Sequence, residues 1–227
     1  MIPGLRDQIS RLEAFHGPPE PPAVTDPFEM ILWENAAYLV DDERRARVFN
    51  RLREEVGLAP EEILEIPLET LAGVVREDGG MQPENRAGKL LAAAAEILDI
   101  GARKLKELMR TDPEKAHKAL RKFPGIGEPG ADKILLFSGA KRTLAPDSNA
   151  LRVLVRLGFG EEVSSYGQTY RSVAEAVASQ LPRDFPWLVR AHQLLRLHGQ
   201  EICKRSAPLC EACPLTKGCR WFLTRSS

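Results

Sequence analysis

Four cysteines lie close together near the C-terminus of this 227-residue chain, and the sequence contains no others. Their spacing is C-x6-C-x2-C-x5-C. Four thiolates on one short loop can surround a single metal centre, and either a [4Fe–4S] cluster or a structural zinc ion suits such a set. The chain must therefore fold so that this loop closes on a metal. The predicted ligands are Cys203, Cys210, Cys213 and Cys219.

Charge and hydropathy narrow the class of protein. The formal net charge is zero, so any affinity for nucleic acid must come from a local basic surface. No segment approaches the roughly 20 apolar residues that span a bilayer, and the N-terminus lacks the apolar region of a signal peptide. We therefore expect a cytoplasmic monomer, associated with the nucleoid if the source is prokaryotic. In that compartment clustered cysteines bind metal rather than form disulfides.

Helical periodicity runs through most of the chain, with glycine and proline between the periodic segments. No stretch alternates in the manner of a β-strand over five or more residues. The sequence therefore predicts an all-α protein of about ten short helices. The clearest predicted helices cover residues 43–56, 84–98, 113–123, 149–157, 168–180 and 187–198.

A tight turn, Pro124-Gly125-Ile126-Gly127, separates two of these helical segments. Gly125 and Gly127 can adopt positive φ and leave the backbone open to close approach, while Ile126 can fill the space between the helices. The N–H groups that open the second helix, near Glu128, form an anion site. This is the pattern of a helix-hairpin-helix, which binds a DNA phosphate through its main chain without reading a base. An ordinary connection between two helices uses the same residue types.

An aspartate follows the hairpin in the segment Ala145-Pro146-Asp147-Ser148-Asn149. A hairpin, a Gly/Pro-rich interval and then a single aspartate resemble the helix-hairpin-helix DNA glycosylases. The cysteine spacing resembles the iron–sulfur loop of the endonuclease III and adenine glycosylase branches of that superfamily. Segments 26–29 and 192–203 also resemble it, so the resemblance covers roughly residues 20–220.

The resemblance implies a two-lobed, all-α fold with a C-terminal [4Fe–4S] loop. One lobe would hold residues 27–137 and end in the hairpin, and the other would hold residues 1–26 and 138–227. The implied activity is a DNA N-glycosylase of base excision repair, acting on a damaged or mismatched base in double-stranded DNA. Asp147 matches the essential aspartate of the family, which stabilises positive charge on the sugar as the base departs. An N-cap for the following helix is the compatible structural role of Asp147.

The nucleophilic lysine of endonuclease III, two residues after the hairpin, corresponds to Pro129 here. Proline cannot form a Schiff base, so we predict a monofunctional glycosylase. Lys133 lies one helical turn later and leaves a bifunctional glycosylase/AP lyase as an alternative, although a phosphate-binding lysine is the preferred interpretation. A non-catalytic binder of damaged DNA is the third alternative.

Glu34 stands where the adenine glycosylase branch carries its general acid, within the apolar segment 27–42. Partial burial there would favour a protonated acid that can protonate a departing base, whereas an exposed glutamate would have no such role. Tyr38, one turn later, would line the same pocket or fill the core. We expect the active site between the lobes, with Glu34 on one wall and Asp147 on the other.

Two further segments are candidate DNA contacts. The loop containing Met81 and Gln82 corresponds to the segment that the family wedges into the space left by the extruded base, although a plain turn explains both residues equally well. Lys204 and Arg205 in the cysteine loop can contact phosphates and would make binding depend on salt.

Overall fold

The structure, a computed structural model, describes residues 4–225 and is all-α within that range, as the sequence predicts. Residues 4–225 contain thirteen α-helices and two short 3-10 helices, and the one β-type contact among them is an isolated bridge between Tyr38 and Gly80. None of the helices that the structure describes is long and apolar enough to cross a membrane. The chain forms two compact units, one of residues 22–140 and one of residues up to 21 together with those from 141 onward.

The unit of residues 22–140 is built from eight consecutive helices. They are α2 (Pro27–Ala36), α3 (Asp42–Glu55), α4 (Pro60–Glu65), α5 (Leu68–Arg76), α6 (Pro83–Ile100), α7 (Ala102–Thr111), α8 (Pro113–Leu120) and α9 (Glu128–Phe137).

A continuous apolar core holds this unit together. Helix α2 is apolar on most of its surface, with Ile31 and Leu32 fully buried, and it packs on α3, α6 and α9. Burial of one such side chain stabilises a fold by about 1.5–3 kcal/mol. Asp26 caps α2 by accepting hydrogen bonds from the backbone N–H groups of Phe28 and Glu29. Helix α2 is therefore a fixed support for the polar side chains at its C-terminal end.

The other unit combines the N-terminal helix with the C-terminal part of the chain. Its elements are α1 (Leu5–His16), α10 (Ser148–Leu157), α11 (Tyr166–Ala178), α12 (Phe185–Glu201), two 3-10 helices (Cys210–Ala212 and Thr216–Gly218) and α13 (Arg220–Arg225).

Helix α12 is the centre of this second unit, because both α1 and α10 pack against it. Helix α10 shows why: its residues Leu151, Leu154 and Leu157 recur at helical spacing and are buried on one face. The contact with α10 is close, since a Cβ added to Gly199 of α12 would lie 2.6 Å from the backbone oxygen of Asn149. The start of α10 is thus tightly seated on α12.

The predicted helices agree with α3, α6, α8, α10, α11 and α12 to within a few residues at each end. The predicted total of about ten was too low, because α4 and α13 have six residues each and give too few turns for a periodic pattern to show. Helix α8 also ends at Leu120 rather than at Phe123, since Lys122 and Phe123 donate backbone hydrogen bonds to residues three positions earlier. This tighter turn leads into the hairpin.

Candidate active site and metal centre

The hairpin joins α8 to α9 as the sequence predicts. Gly125 has φ +75°, in the region that favours glycine, and Ile126 is buried in the core with 5% of its surface exposed. Gly127 differs from the prediction: its φ is −87° and it serves as the extended N-cap residue of α9. A Cβ on Gly127 would meet no atom closer than 3.9 Å, so its missing side chain leaves space outside the turn. Pro129 lies in the first turn of α9.

Asn35, which the sequence analysis did not single out, supports this hairpin from α2. It is almost fully buried, and its side-chain nitrogen donates hydrogen bonds of 2.9 Å to the carbonyl oxygens of Ile31 and Pro124. A Cβ on Gly125 would lie 2.4 Å from the Asn35 Oδ1 atom, so no larger residue fits at that position. The signal that could have found Asn35 is an amide in a helix whose other buried residues are all apolar.

Glu34 and Lys133 form an ion pair between α2 and α9. Their side chains are 26% and 23% exposed, so Glu34 is neither a free surface residue nor fully enclosed. The charged partner Lys133 was not expected from the apolar sequence neighbours of Glu34, which predicted a partly buried acid. Lys133 is likewise not simply solvated, because Glu34 holds its ammonium group against α2.

Tyr38 and the loop at Met81 are brought together by a backbone contact. The N–H group of Tyr38 donates a 2.9 Å hydrogen bond to Gly79, and Tyr38 is 53% exposed, which excludes the alternative of a core tyrosine. Leu39 and Met81 are 74% and 60% exposed. Leu39 and Gln82 both have φ +56°, an uncommon conformation for residues with a side chain. The two loops thus present exposed apolar groups on a strained backbone, and Leu39 was missed by the sequence analysis.

Arg86 of α6 anchors the backbone around these loops through hydrogen bonds. Its guanidinium group is buried and donates hydrogen bonds to four backbone carbonyls. Arg45 of α3 similarly donates to carbonyls at the C-terminal end of α2. Charged donors of this kind satisfy carbonyl groups that a helix leaves without partners at its end. The oxygens that Arg86 contacts are those of Ala36, Val75, Gly80 and Met81.

Asp147 is the N-cap residue of α10 in the second unit. Its Oδ1 atom accepts hydrogen bonds from the backbone N–H groups of Asn149 (2.9 Å) and Ala150 (2.8 Å). Its Oδ2 atom lies 3.3 Å from Nε of Arg196 on α12 and 3.4 Å from Nδ2 of Asn149. Two backbone donors therefore fix the carboxylate, while its second oxygen faces side chains.

Two residues near Asp147 were not found from the sequence. Arg196 is one, since a cation in a helix with mixed polar positions carries no distinguishing pattern. Tyr166, at the start of α11, is the other: burial raises the pKa of Tyr166 to about 12, and the charge of Asp147 adds to this shift. The Tyr166 hydroxyl thus stays protonated beside the aspartate at neutral pH. Ala145, two residues before Asp147, is buried with φ +44°, a strained entry to this cap.

Hydrogen bonds connect Asp147 to the cysteine loop. Asn149 contacts Asp147 through Nδ2 and accepts a 2.9 Å hydrogen bond at Oδ1 from Arg152. Arg152 in turn donates to the backbone oxygens of Cys203 (2.8 Å) and Gly199 (2.7 Å). Burial lowers the pKa of Arg152, which remains cationic at neutral pH. The first cysteine of the loop is therefore positioned by the helix that begins at Asp147.

The four cysteines line one small apolar cavity, together with Leu209 and Phe222. No group of three Cys, His, Asp or Glu side chains between residues 4 and 225 is arranged to bind a metal ion. The fit to a metal therefore rests on the donor set, since four thiols around one cavity suit either a [4Fe–4S] cluster or a zinc ion.

The cavity is an unfavourable place for thiolates without a metal. Burial raises the pKa of the Cys213 thiol to about 11, and the neighbouring cysteines add to the shift. Burial likewise raises the pKa of Cys219. Since bound metal is what stabilises grouped thiolates, the donor set and its surroundings both fit a metal centre.

Lys204 and Arg205 are exposed on the loop that follows Cys203. Arg156 of α10 donates hydrogen bonds to the backbone oxygens of both residues and to Sγ of Cys203, at 2.9, 3.1 and 3.3 Å. The Arg156 guanidinium also lies 4.6 Å from the ring centre of Trp221. The two exposed cations are therefore carried on an anchored backbone.

Comparisons with known proteins agree with this architecture. The chain is 31% identical over 163 residues to endonuclease III of Rickettsia conorii, covering 72% of this chain and 70% of the relative. It is 26% identical over 201 residues to endonuclease III of Thermotoga maritima, covering 88% and 86%. The structure of a non-covalent endonuclease III–DNA complex superposes with a TM-score of 0.76 at 23% identity, covering 98% of this chain and 96% of that one. No protein-family model matches the chain.

Fold and relatives together define a helix-hairpin-helix DNA glycosylase, an enzyme of base excision repair that breaks the bond between a base and its sugar. A thermostable thymine-DNA glycosylase has the same fold at a TM-score of 0.65. Within this superfamily the chain belongs to the endonuclease III family.

Proposed function

We propose that this enzyme hydrolyses the N-glycosidic bond of a damaged or mismatched base in double-stranded DNA, with Asp147 as the catalytic carboxylate. The observation that carries the proposal is the fixed Asp147 side chain, whose Oδ1 atom is held by two backbone N–H groups while Oδ2 contacts only side chains among the contacts described above. The target base must leave the stack before the bond can break. As it breaks, the sugar becomes cationic, and a prepositioned carboxylate stabilises that charge and orients the attacking water.

The test is base release from a panel of duplexes that carry uracil, G·T, hypoxanthine, oxidised pyrimidines, alkylated bases or adenine opposite oxidised guanine. Asp147→Asn keeps an N-cap side chain but loses the charge, so we expect about a 1,000-fold slower release with DNA binding retained. Release that survives in Asp147→Asn would contradict the proposal. Binding without release from any duplex would favour the non-catalytic binder.

We propose that the enzyme is monofunctional. Pro129 occupies the position of the endonuclease III nucleophile, and the Lys133 side chain is engaged in an ion pair with Glu34. The rival reading is a bifunctional glycosylase/AP lyase that uses Lys133. Borohydride trapping during reaction with a lesion duplex separates the two: we expect no covalent adduct, and an adduct that disappears in Lys133→Ala would establish the lyase.

Glu34 is proposed as the second catalytic group. Its carboxylate is paired with the ammonium group of Lys133, and α2 and α9 are the two elements that carry the pair. The pair supplies both a carboxylate and ammonium protons to the side of the departing base, where proton transfer aids departure. Tyr38 is proposed as a pocket residue, in keeping with its exposed ring.

The proposed partner is duplex DNA. The exposed turn at Gly125 and Gly127 leaves room for a phosphate at the N-terminus of α9, and Lys204 and Arg205 add cationic contacts. Met81, with its exposed apolar side chain, is the proposed wedge, alongside Gln82. Their strained and firmly anchored loops suit a group that must enter the base stack without giving way.

A [4Fe–4S] cluster is the proposed cofactor, held by Cys203, Cys210, Cys213 and Cys219. Its bound irons would stiffen the loop that carries the two exposed cations, and no proposed catalytic step uses it. Purified protein should contain about four iron and four sulfide per chain and absorb visible light as iron–sulfur centres do. A colourless protein with one zinc per chain would contradict this assignment.

A further inference from the structure

Arg196 of α12 faces the same oxygen of Asp147 that catalysis would use. The Nε atom of Arg196 lies 3.3 Å from Oδ2, and the two side chains are 30% and 33% exposed. The backbone donors occupy Oδ1 instead. A guanidinium group therefore covers the outward face of the proposed catalytic carboxylate.

This arrangement is unfavourable for the reaction if it persists. The sugar becomes cationic in the transition state, and a second cation against Oδ2 would offset the attraction of the carboxylate. The pair is partly open to water, where ion pairs are weak and readily exchanged. Arginine also binds phosphate through two parallel hydrogen bonds, a geometry that a lysine cannot reproduce.

Arg152 on α10 is the other arginine near Asp147, and its recorded contacts differ from those of Arg196. Arg152 donates hydrogen bonds to Asn149, Gly199 and Cys203, so its guanidinium serves the internal structure of the unit. Arg196 instead directs its Nε atom at a partly exposed carboxylate. Arg196 is thus the cation that pairs with Oδ2 of Asp147, which makes it the candidate for contact with a nucleotide at that carboxylate.

We propose that Arg196 exchanges partners when DNA binds, leaving Asp147 for a backbone phosphate of the nucleotide seated there. Each deoxyribose in a DNA strand has a phosphate on either side, so a sugar at Asp147 brings phosphate oxygens within reach of Arg196. The contact that holds the strand thereby uncovers the carboxylate. This inference rests on the proposed role of Asp147, and it adds a phosphate-binding residue whose release is coupled to that role.

The first test is equilibrium binding to a duplex that carries a stable tetrahydrofuran abasic analogue, measured by fluorescence anisotropy over a series of salt concentrations. Arg196→Met should weaken binding about tenfold and reduce the slope of log affinity against log salt by about 0.9, the value for one lost phosphate contact. Arg190→Met is the matched control, because Arg190 lies on the same helix and pairs with Glu13 at 3.6 Å. An equal fall in slope for both variants would overturn the proposal.

The second test is a double-mutant cycle on the same duplex. If Asp147 competes with phosphate for Arg196, Asp147→Asn should tighten binding about three- to tenfold, and that gain should fall below about twofold when Arg196→Met is also present. Equal gains in both backgrounds would refute the exchange. Arg196→Gln is the second charge-removing variant should Arg196→Met fold poorly by circular dichroism.

Both tests measure binding alone and require no base release. They therefore separate the exchange of Arg196 from the proposed catalytic role of Asp147. Base release that survives in Asp147→Asn contradicts the proposed function, whatever the binding cycle shows. A cycle without coupling contradicts the exchange, even when Asp147→Asn abolishes base release.

Discussion

Asp147 and Glu34 are both carboxylates with a cationic partner, yet they are held in place in different ways. Asp147 opens a helix, and two backbone N–H groups fix one of its oxygens. Glu34 lies near the end of a helix, and a flexible lysine side chain fixes it. The backbone of Asp147 therefore determines where its charge lies, whereas Glu34 depends on its partner and on the arginines that hold the end of α2.

The largest expected effect comes from Arg86, which anchors the end of α2 and the adjacent loops. Arg86→Met would leave four backbone carbonyls without their donor, and at about 1–3 kcal/mol for a buried unsatisfied group the free energy of unfolding should fall by about 3–5 kcal/mol. Urea denaturation measures this loss.

Arg76→Met is the control for that variant, because the Arg76–Glu84 pair on the neighbouring helices is about 60% exposed on both sides (62% and 61%). We expect a change below about 1 kcal/mol there. A similarly small loss for Arg86→Met would show that the end of α2 does not depend on its arginine.

The second-largest expected effect comes from removing the charge of Glu34 in its pair with Lys133. Glu34→Gln removes the charge and should slow base release by about 100-fold, the lower range for a lost proton-transfer group. Glu29→Gln is the control, because Glu29 lies on the same helix in an exposed pair with Arg53. Single-turnover rates at saturating enzyme would show whether the two variants differ. Equal rates in both variants would show that Glu34 has no part in the mechanism, and Asp147 would then be the remaining candidate carboxylate.

The smallest expected effect comes from the close packing of α10, the helix that Asp147 caps, against α12. Gly199→Ala places a Cβ 2.6 Å from the Asn149 backbone, so α10 must shift, at a cost of about 1–3 kcal/mol. Base release should also fall about tenfold, because a small displacement of a catalytic group is costly. Gly88→Ala is the control: no atom lies within 4 Å of its Cβ, and a helix gains about 0.5–1 kcal/mol from alanine. Gly199→Ala with unchanged rate and stability would show that α10 tolerates movement.

The same contrast explains what could be predicted from the sequence. Asp147 and the Pro124–Gly127 turn have local signatures, an N-cap before an apolar helix and a Gly/Pro turn between two helices, so the cap and the turn could be predicted. The cysteines were found because their spacing is itself the signal. Arg196, Asn35 and Leu39 were missed, because their importance arises from residues far away in the chain.

The positive φ expected at Gly127 was wrong, and the ionic partner of Glu34 was not predicted. The two outcomes have a related cause. A glycine in a turn indicates freedom at positive φ, but here it instead leaves space outside the N-terminus of α9. The apolar neighbours of Glu34 in sequence concealed Lys133, which comes from α9, ninety-nine positions away. Packing between helices, rather than local preference, decided both outcomes.

Arg86 also has a consequence for how this enzyme could change. It donates hydrogen bonds to the main-chain oxygens of Gly80 and Met81, and to that of Ala36 at the end of α2, and every amino acid supplies such an oxygen. Side chains at the tips of the loops at Leu39 and Met81 can therefore be exchanged while the platform beneath them keeps its shape. Substitutions at these exposed positions could therefore change what the surface binds while the hydrogen bonds that anchor the loops stay in place.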